Sequence, residues 1–247
     1  MTLMFDIAGQ THVGLVRKEN QDGFLAVRLA AGDRQYACLA VADGMGGHLD
    51  GRLASETAIK TVKSHLNAPT IDPDHPERWL EEVVQEAHRE VGKLGNGQIV
   101  GTTLTIAIVG EKSCTVGHVG DSRAYRWHKG RLEPETVDHT WEEYAKRHGI
   151  ENAHGDHLRQ AIGVGASVEV ETSTFPVESG DALLVCSDGL HKFVAHSLVT
   201  AAIGKAKDAR DACDRLVAHS LRSGGRDNVG VALAYIGHRE RKGCRFF

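Results

Sequence analysis

The chain has 247 residues, of which 41% are hydrophobic and 25% are charged. This length suits one large domain or two small ones, and the composition is that of an ordinary globular protein. The 29 basic residues are outnumbered by 33 acidic ones, which gives a formal net charge of −4. Such a balance provides no overall positive field for nucleic acid.

No targeting or membrane segment is predicted. The first ten residues, MTLMFDIAGQ, carry an acid and lack a basic flank, unlike a signal peptide. No apolar run approaches the roughly 18 residues that a membrane span needs. The five cysteines include no C-x-x-C pair and lie mostly in apolar runs, which favours buried free thiols in a reducing compartment. We therefore expect a cytoplasmic protein without a membrane partner.

Hydrophobic periodicity predicts nine strands and five helices. In chain order, the predicted strands are 3–11, 24–29, 35–42, 101–109, 113–119, 123–128, 168–175, 181–187 and 228–236. The predicted helices are 50–66, 77–94, 140–148, 195–203 and 207–222. Because strands come as hairpin-like pairs and helices as adjacent pairs, this order favours an α+β fold with antiparallel sheets and helices packed outside. Residues 138–165, rich in histidine, glycine and charge, are predicted to form a surface flap.

Aspartates stand at strand ends in four places. Asp43, Asp121 and Asp188 each end an apolar run, and Asp227 precedes one. A single such aspartate is well explained as a turn or helix cap. Four carboxylates meeting at one rim would repel one another unless cations lay between them, and Mg²⁺ or Mn²⁺ would suit such oxygen ligands. Gly44 would allow its backbone to approach the same cation closely.

Several other chemistries are excluded by their missing motifs. No cysteine is followed six positions later by arginine, so the C-x5-R loop of cysteine phosphatases is absent. The chain also lacks G-x-x-x-x-G-K-[ST], G-x-G-x-x-G, G-x-S-x-G and H-E-x-x-H. Its 15 histidines are scattered without the spacing of zinc ligands.

Six segments in order carry a family resemblance. They are VRKENQD, VADGMGG, GTTL, GHVGDSRAYRW, LLVCSDGL and RDNVGVAL, spread over about residues 8–236. Together they resemble the metal-dependent serine/threonine protein phosphatases of the PPM, or type 2C, family, and the DGMGGH version resembles its bacterial branch. The resemblance implies two antiparallel sheets forming a β-sandwich flanked by pairs of helices (αββα layers), with a short flap. A single phosphatase domain over 1–238 would be followed by a basic tail, 239–247.

The resemblance also implies a binuclear metal site at one end of the sandwich. Asp43 would bridge two ions, Mn²⁺ or Mg²⁺, and the Gly44 carbonyl would bind one of them. Asp188 and Asp227 would complete the other site, and Asp22 would hold its water shell. A water between two such ions loses a proton easily and can attack phosphorus in line.

Three further roles follow from the same resemblance. Asp121, together with Asp188, would form the third metal position of bacterial members. Arg17 would bind the substrate phosphate through its planar guanidinium, which can donate two parallel hydrogen bonds. Asn228 would hold the metal ligands in position without binding a metal ion itself.

Two positions depart from the family pattern. Met45 stands where many eukaryotic relatives have a histidine that protonates the leaving oxygen, and methionine cannot donate a proton. His48 is the nearest replacement: it either acts as this catalytic acid or only orders phosphate and solvent at a helix start. Gln21 replaces an acid that often occurs there, which removes one negative charge near the second metal.

The implied function is hydrolysis of phosphoserine and phosphothreonine on proteins, in opposition to a bacterial Ser/Thr kinase. The expected partners are that kinase and its targets, and the protein is expected to be a monomer without nucleic-acid or membrane partners. Two alternatives stay open: a phosphatase of an anti-sigma antagonist, and a non-catalytic metal-binding module that recognises a partner on the same fold.

Overall fold

The structure is a computed structural model, which describes residues 5–31, 34–45, 49–66, 71, 75–95, 98–150, 155 and 157–237. Its strands are β1 (Phe5–His12), β2 (Asp22–Ala31), β3 (Arg34–Met45), β4 (Gly101–Thr102), β5 (Leu104–Val109), β6 (Ser113–Val119), β7 (Arg123–His128), β8 (Arg131–Pro134), β9 (Glu171–Pro176), β10 (Ala182–Cys186) and β11 (Val229–Ile236). Its helices are α1 (Leu49–Leu66), α2 (Pro76–Gly92), α3 (Trp141–His148), α4 (Asp188–His191), α5 (His196–Lys205) and α6 (Ala209–Arg222).

The strands form two antiparallel sheets. Sheet I has the order β1-β11-β10-β7-β8, and sheet II has the order β2-β3-β5-β6-β9, with β4 paired to β3. One apolar cluster fills the space between the sheets, a second joins sheet II to α1 and α2, and a third joins sheet I to α5 and α6. The predicted α+β sandwich with helices on both outer faces is therefore confirmed.

The burial of the central strand β3 between a sheet and the helices determines where Asp43 lies. Its side chains alternate between two apolar environments: Leu39 and Val41 face the other sheet, while Ala40 and Ala42 face the helices. Burial on both faces explains why β3 is a continuous apolar run. Asp43 is the next residue on the face that points toward the other sheet. Its carboxylate therefore lies at the end of the inter-sheet core.

Two short elements were not predicted, and one predicted strand is divided. Strand β8 pairs with β7 through a two-residue turn in which Lys129 and Gly130 both have positive φ, 48° and 84°, as a tight hairpin requires. Helix α4 has only four residues, too few to show a helical period. The strand predicted over 101–109 is interrupted at Thr103, whose N–H leaves the ladder to bond the Asp43 carbonyl at 2.9 Å.

The described part of the flap contains α3 and returns to sheet II. The Thr140 side chain accepts a hydrogen bond from Glu143 N at the start of α3, and Gly149, with φ 64°, ends it. Ile162 then pairs with Thr102 of β4. Because β4 also pairs with the end of β3, the flap is attached beside Asp43. Among the described helices, none is both long enough and apolar enough to cross a membrane.

Candidate metal and phosphate site

The strand topology brings the predicted acids to one end of the sandwich. Asp22 begins β2 and lies directly opposite Asp43 in the β2–β3 register. On sheet I, Asp188 directly follows Ser187 after the end of β10, and Asp227 comes just before β11, its antiparallel neighbour. Since the end of one antiparallel strand lies beside the start of the next, both pairs of acids reach the same rim.

Asp22, which is buried, and Asp43, which is half-buried, form a carboxyl pair. The Asp43 carboxyl contacts that of Asp22 and that of Asp188 at hydrogen-bond distance. Burial, and then repulsion from neighbouring acids, raises the pKa of Asp22 to about 7 and raises that of Asp43 well above its ordinary value. Asp22 Oδ1 is buried and has no hydrogen-bond partner among the described residues. This oxygen-rich, charge-crowded cluster fits a hard divalent cation, which would neutralise it.

Ser187 joins the two sheets behind this pair. Its hydroxyl donates to Asp22 Oδ2 at 2.6 Å and accepts from the Gly230 N–H at 2.8 Å. A Cβ placed at Gly230 would come within 3.2 Å of the same carboxylate oxygen, so glycine leaves the space that Asp22 fills. The hydroxyl thus fixes one carboxylate oxygen of Asp22.

The backbone around Asp43 is clamped by the two threonines of the GTTL segment. Asp43 N donates to Thr103 Oγ1, and the Thr102 hydroxyl donates to the Asp43 carbonyl, both at 2.9 Å. Gly44 lies in a tight cradle, because a Cβ there would collide with the Gly51 carbonyl oxygen and approach the Gln21 carbonyl oxygen. In the sequence these threonines were only part of the GTTL segment, and the structure shows that both of them bind the Asp43 backbone.

Asn228 holds the loop that carries the predicted phosphate-binding arginine. Its Oδ1 accepts from Gln21 N at 2.8 Å, and its Nδ2 donates to the carbonyls of Val13 and Glu19 at 2.9 Å each. Arg17, which lies between those two carbonyls in the chain, donates from Nη2 to Asp227 Oδ2 at 2.7 Å.

The Arg17 side chain is 57% exposed. Its hydrogen bond to Asp227 and the nearby carboxylates raise its pKa further. Arg17 is therefore a permanently charged group at the rim of the acid cluster, open to a ligand.

Asp121 has a partner that sequence reasoning missed. Lys192 Nζ lies 3.0 Å from Asp121 Oδ2 and 3.0 Å from Asp188 Oδ2. Burial alone would lower the pKa of Lys192, but the two carboxylates outweigh it and raise that pKa. The i,i+4 spacing of Asp188 and Lys192 is a signal visible in the sequence, whereas their meeting with Asp121 is not.

The remaining catalytic prediction, His48, lies outside the described residues, as does the predicted tail over 239–247. The four cysteines of the described part, Cys38, Cys114, Cys186 and Cys213, are all buried and free. Burial raises the pKa of the Cys38 thiol to about 12 and that of the other three thiols as well. None of these four is an activated nucleophile, because a reactive cysteine needs a lowered pKa and access.

A second cluster of potential metal ligands lies elsewhere. The ligand atoms of His128, Glu178 and Asp181 lie within 4.8 Å of one another. His128 ends β7 and Asp181 precedes β10, so this cluster is at the opposite end of sheet I from Asp121 and Asp188. Its members already pair internally or with Lys129, since His128 Nδ1 lies 2.6 Å from Asp181 Oδ1 and Lys129 Nζ lies 2.9 Å from Glu178.

The arrangement at the first rim combines two chemical capacities. Carboxylates from both sheets can hold hard cations, and an exposed guanidinium beside them can bind a phosphoryl group. The family described as Protein phosphatase 2C matches residues 9–228.

Two bacterial proteins are similar to this chain in sequence. The "Serine/threonine phosphatase stp" of Listeria monocytogenes serotype 4b is 31% identical over 206 residues, which cover 78% of this chain and 82% of that protein. The "Serine/threonine protein phosphatase PstP" of Mycobacterium tuberculosis is 32% identical over 96% of this chain, and the match spans 46% of the mycobacterial protein.

Solved structures of serine/threonine phosphatases are also similar to this chain. The serine/threonine phosphatase of S. agalactiae superposes with a TM-score of 0.86 at 27% identity, over 94% of this chain and 99% of that one. The catalytic domain of the phosphatase PstP, solved with two manganese ions, has a TM-score of 0.77 at 30% identity, over 96% of this chain and 100% of that one.

Proposed function

Because the chain belongs to the protein phosphatase 2C family, and so is a metal-dependent serine/threonine protein phosphatase, we propose that its acid cluster holds two divalent cations, Mn²⁺ or Mg²⁺. The observation that carries this proposal is the contact of the half-buried Asp43 carboxyl with those of Asp22 and Asp188. A carboxyl group in contact with two others is stable as a carboxylate beside them only when positive charge lies among them.

Each residue near the rim has a proposed part in holding the ions. Asp43, between the other acids, would be shared by both ions, and the Gly44 carbonyl would bind one of them. Asp188 and Asp227 would hold the other. Asp22, fixed by the Ser187 hydroxyl, would orient the coordinated water through its free oxygen. Bound divalent ions supply two things here: they lower the pKa of water and neutralise the charge of a phosphoryl group.

The protein side chains position the substrate for this chemistry. Arg17, held by Asp227 at 2.7 Å, presents N–H donors from the rim to the phosphate oxygens. Asn228 fixes the loop on either side of Arg17, so the guanidinium approaches from a constant direction. The raised thiol pKa values of the four described cysteines argue against a cysteine nucleophile, consistent with direct attack by water.

The proposal extends to substrates and setting. Phosphorylated proteins are the substrates, and a bacterial Ser/Thr kinase with its targets is the proposed counterpart. We place this activity in the cytoplasm and assign it to a monomer. The bacterial relatives named as serine/threonine phosphatases support this setting.

A chelation experiment tests the proposal. The protein is incubated with a phosphothreonine peptide and Mn²⁺, with and without EDTA, and released phosphate is measured for the wild type and Asp188→Asn. Asp214→Asn, an acid on α6 whose side chain is 53% exposed and pairs only with Arg210 among the ion pairs described, is the matched control.

The wild type and the Asp214 variant should release phosphate only when the metal is free, and Asp188→Asn should lose most of this activity. Hydrolysis that persists in EDTA, or a wild type that is inactive with Mn²⁺, would contradict the proposal. Incubation with an autophosphorylated Ser/Thr kinase then tests the substrate class.

A further inference from the structure

A lysine lies where the family resemblance implies a third metal ion. Lys192 Nζ is 3.0 Å from one oxygen of Asp121 and 3.0 Å from one oxygen of Asp188. These are the two acids that would hold the third ion. A divalent cation bound by both oxygens would lie about 2.0–2.6 Å from each, which is the space that the ammonium occupies.

The surroundings of Lys192 hold it in this place. Its neighbour His191 donates from Nε2 to the Asp121 carbonyl oxygen at 2.9 Å, so consecutive residues bind both the backbone and the side chain of Asp121. Lys192 and Asp188 are four residues apart at one helical turn. The Ser220 hydroxyl donates to the Gly189 carbonyl at 2.9 Å and ties this turn to α6. Lys192 is 28% exposed, far less than a surface lysine.

The carboxylates of the site are already neutralised without a third divalent ion. Asp22, Asp43, Asp121, Asp188 and Asp227 carry five negative charges when ionised. Two divalent cations, the Lys192 ammonium and the Arg17 guanidinium, which bonds Asp227 at 2.7 Å, carry six positive charges. A third divalent cation beside Lys192 would leave an excess of three positive charges in a partly buried cluster, and its nearest neighbour would be a like charge.

We propose that the ammonium of Lys192 is the resident cation between Asp121 and Asp188, and that the third metal position of this phosphatase is therefore closed to divalent ions. This inference rests on the proposed function for the two other ions. It makes Lys192 a positioning residue, which fixes the Asp188 carboxylate that would hold one of those ions. Because Lys192 occupies this position, the enzyme binds two divalent ions and not three.

Metal stoichiometry tests the proposal directly. Mn²⁺ is titrated into the full-length protein and the free ion is followed by its EPR signal, which requires no activity. The wild type should bind two ions. Lys192→Met, which keeps the unbranched stem of the side chain and removes the ammonium group, should bind a third, while Lys192→Arg should still bind two. Lys146→Met, at an exposed lysine that pairs with Glu143 in the flap, should match the wild type.

Asp121→Asn keeps the test decisive even if Lys192→Met does not fold. In the wild-type background this substitution should leave the stoichiometry at two, because no ion uses Asp121. In the Lys192→Met background it should remove the third ion. A wild type that binds three ions and loses one on Asp121→Asn, or a folded Lys192→Met that binds no additional ion, would overturn the proposal while leaving the two-ion site intact. A wild type that binds no Mn²⁺ would overturn both proposals.

Discussion

The Ser187 hydroxyl, at the end of sheet I, donates a 2.6 Å hydrogen bond to the Asp22 carboxylate, at the start of β2 in sheet II. The bond is buried and joins residues 165 positions apart in the chain. It is one of the points at which the two halves of the sandwich are fixed to each other beside the acid cluster. The geometry of the site therefore depends on how the two sheets pack.

Ser187→Ala should weaken both the fold and the metal site. The substitution leaves the Gly230 N–H without the acceptor that it has at 2.8 Å, and it frees Asp22 to move. An unpaired buried group costs about 1–3 kcal/mol, so the free energy of unfolding measured in urea should fall by about that amount. The Kd for Mn²⁺ should rise as well. Ser173→Ala, which removes a hydroxyl bonded to the Glu135 carbonyl on another edge, should leave the Kd unchanged.

The stabilisation of the protein by Mn²⁺ should grow with pH. Burial raises the pKa of Asp22 from its ordinary 3.8 to about 7 in the metal-free fold, so the folded chain holds a proton that the unfolded chain releases. Raising the pH from about 4 to 7 therefore destabilises the metal-free protein. Bound cations remove this penalty, because they replace the proton.

Thermal unfolding with saturating Mn²⁺ and with EDTA measures this effect. The difference in Tm should be larger at pH 8 than at pH 5.5. It should vary less with pH in Asp22→Asn, which cannot titrate. A difference in the wild type that is constant over this range would contradict the account.

Arg17→Ala should impair substrate binding without affecting the fold. The side chain is mostly exposed, so the free energy of unfolding should change by no more than about 0.5 kcal/mol. A charge-assisted hydrogen bond to phosphate contributes about 1.5–3 kcal/mol, which corresponds to a loss of about ten- to a hundredfold in kcat/KM for a phosphopeptide. Arg17→Lys should recover only part of this, because it lacks the planar donor pair. An unchanged kcat/KM would remove Arg17 from the phosphate site.

Asn228→Ala should affect the same step through the loop. Three hydrogen bonds to residues 13–21 are lost, so KM should rise and the free energy of unfolding should fall by about 2 kcal/mol. Asn228→Asp keeps the acceptor for Gln21 N and loses both donors, so its effect should be intermediate. If both variants have the KM of the wild type, the loop does not need Asn228.

Much of the fold could be predicted because each element carries its own period. The run from Ala37 to Ala42 is apolar on both faces because helices cover one face and the other sheet covers the second. The two missed elements, β8 and α4, have four residues each, too few to show a period. Their positions are set by a tight turn and by packing.

The candidate site also has residues that the sequence pattern predicts and contacts that it does not. Asp43, Asp188 and Asp227 are visible in the sequence because acids recur at the ends of its apolar runs. The bonds from Ser187 to Asp22 and from Lys192 to Asp121 join residues 165 and 71 positions apart. The packing of the two sheets brings the first pair together, and the pairing of β7 with β10 in sheet I brings the second pair together. No local sequence pattern records either.

Anomalous diffraction from crystals grown with Mn²⁺ is the most direct test of the claim that these acids meet because cations lie between them. The account predicts peaks on either side of the Asp43 carboxylate, within coordination distance of Asp188, Asp227 or the Gly44 carbonyl. A map without ions at this rim, or with the only ion at His128, Glu178 and Asp181, would contradict it.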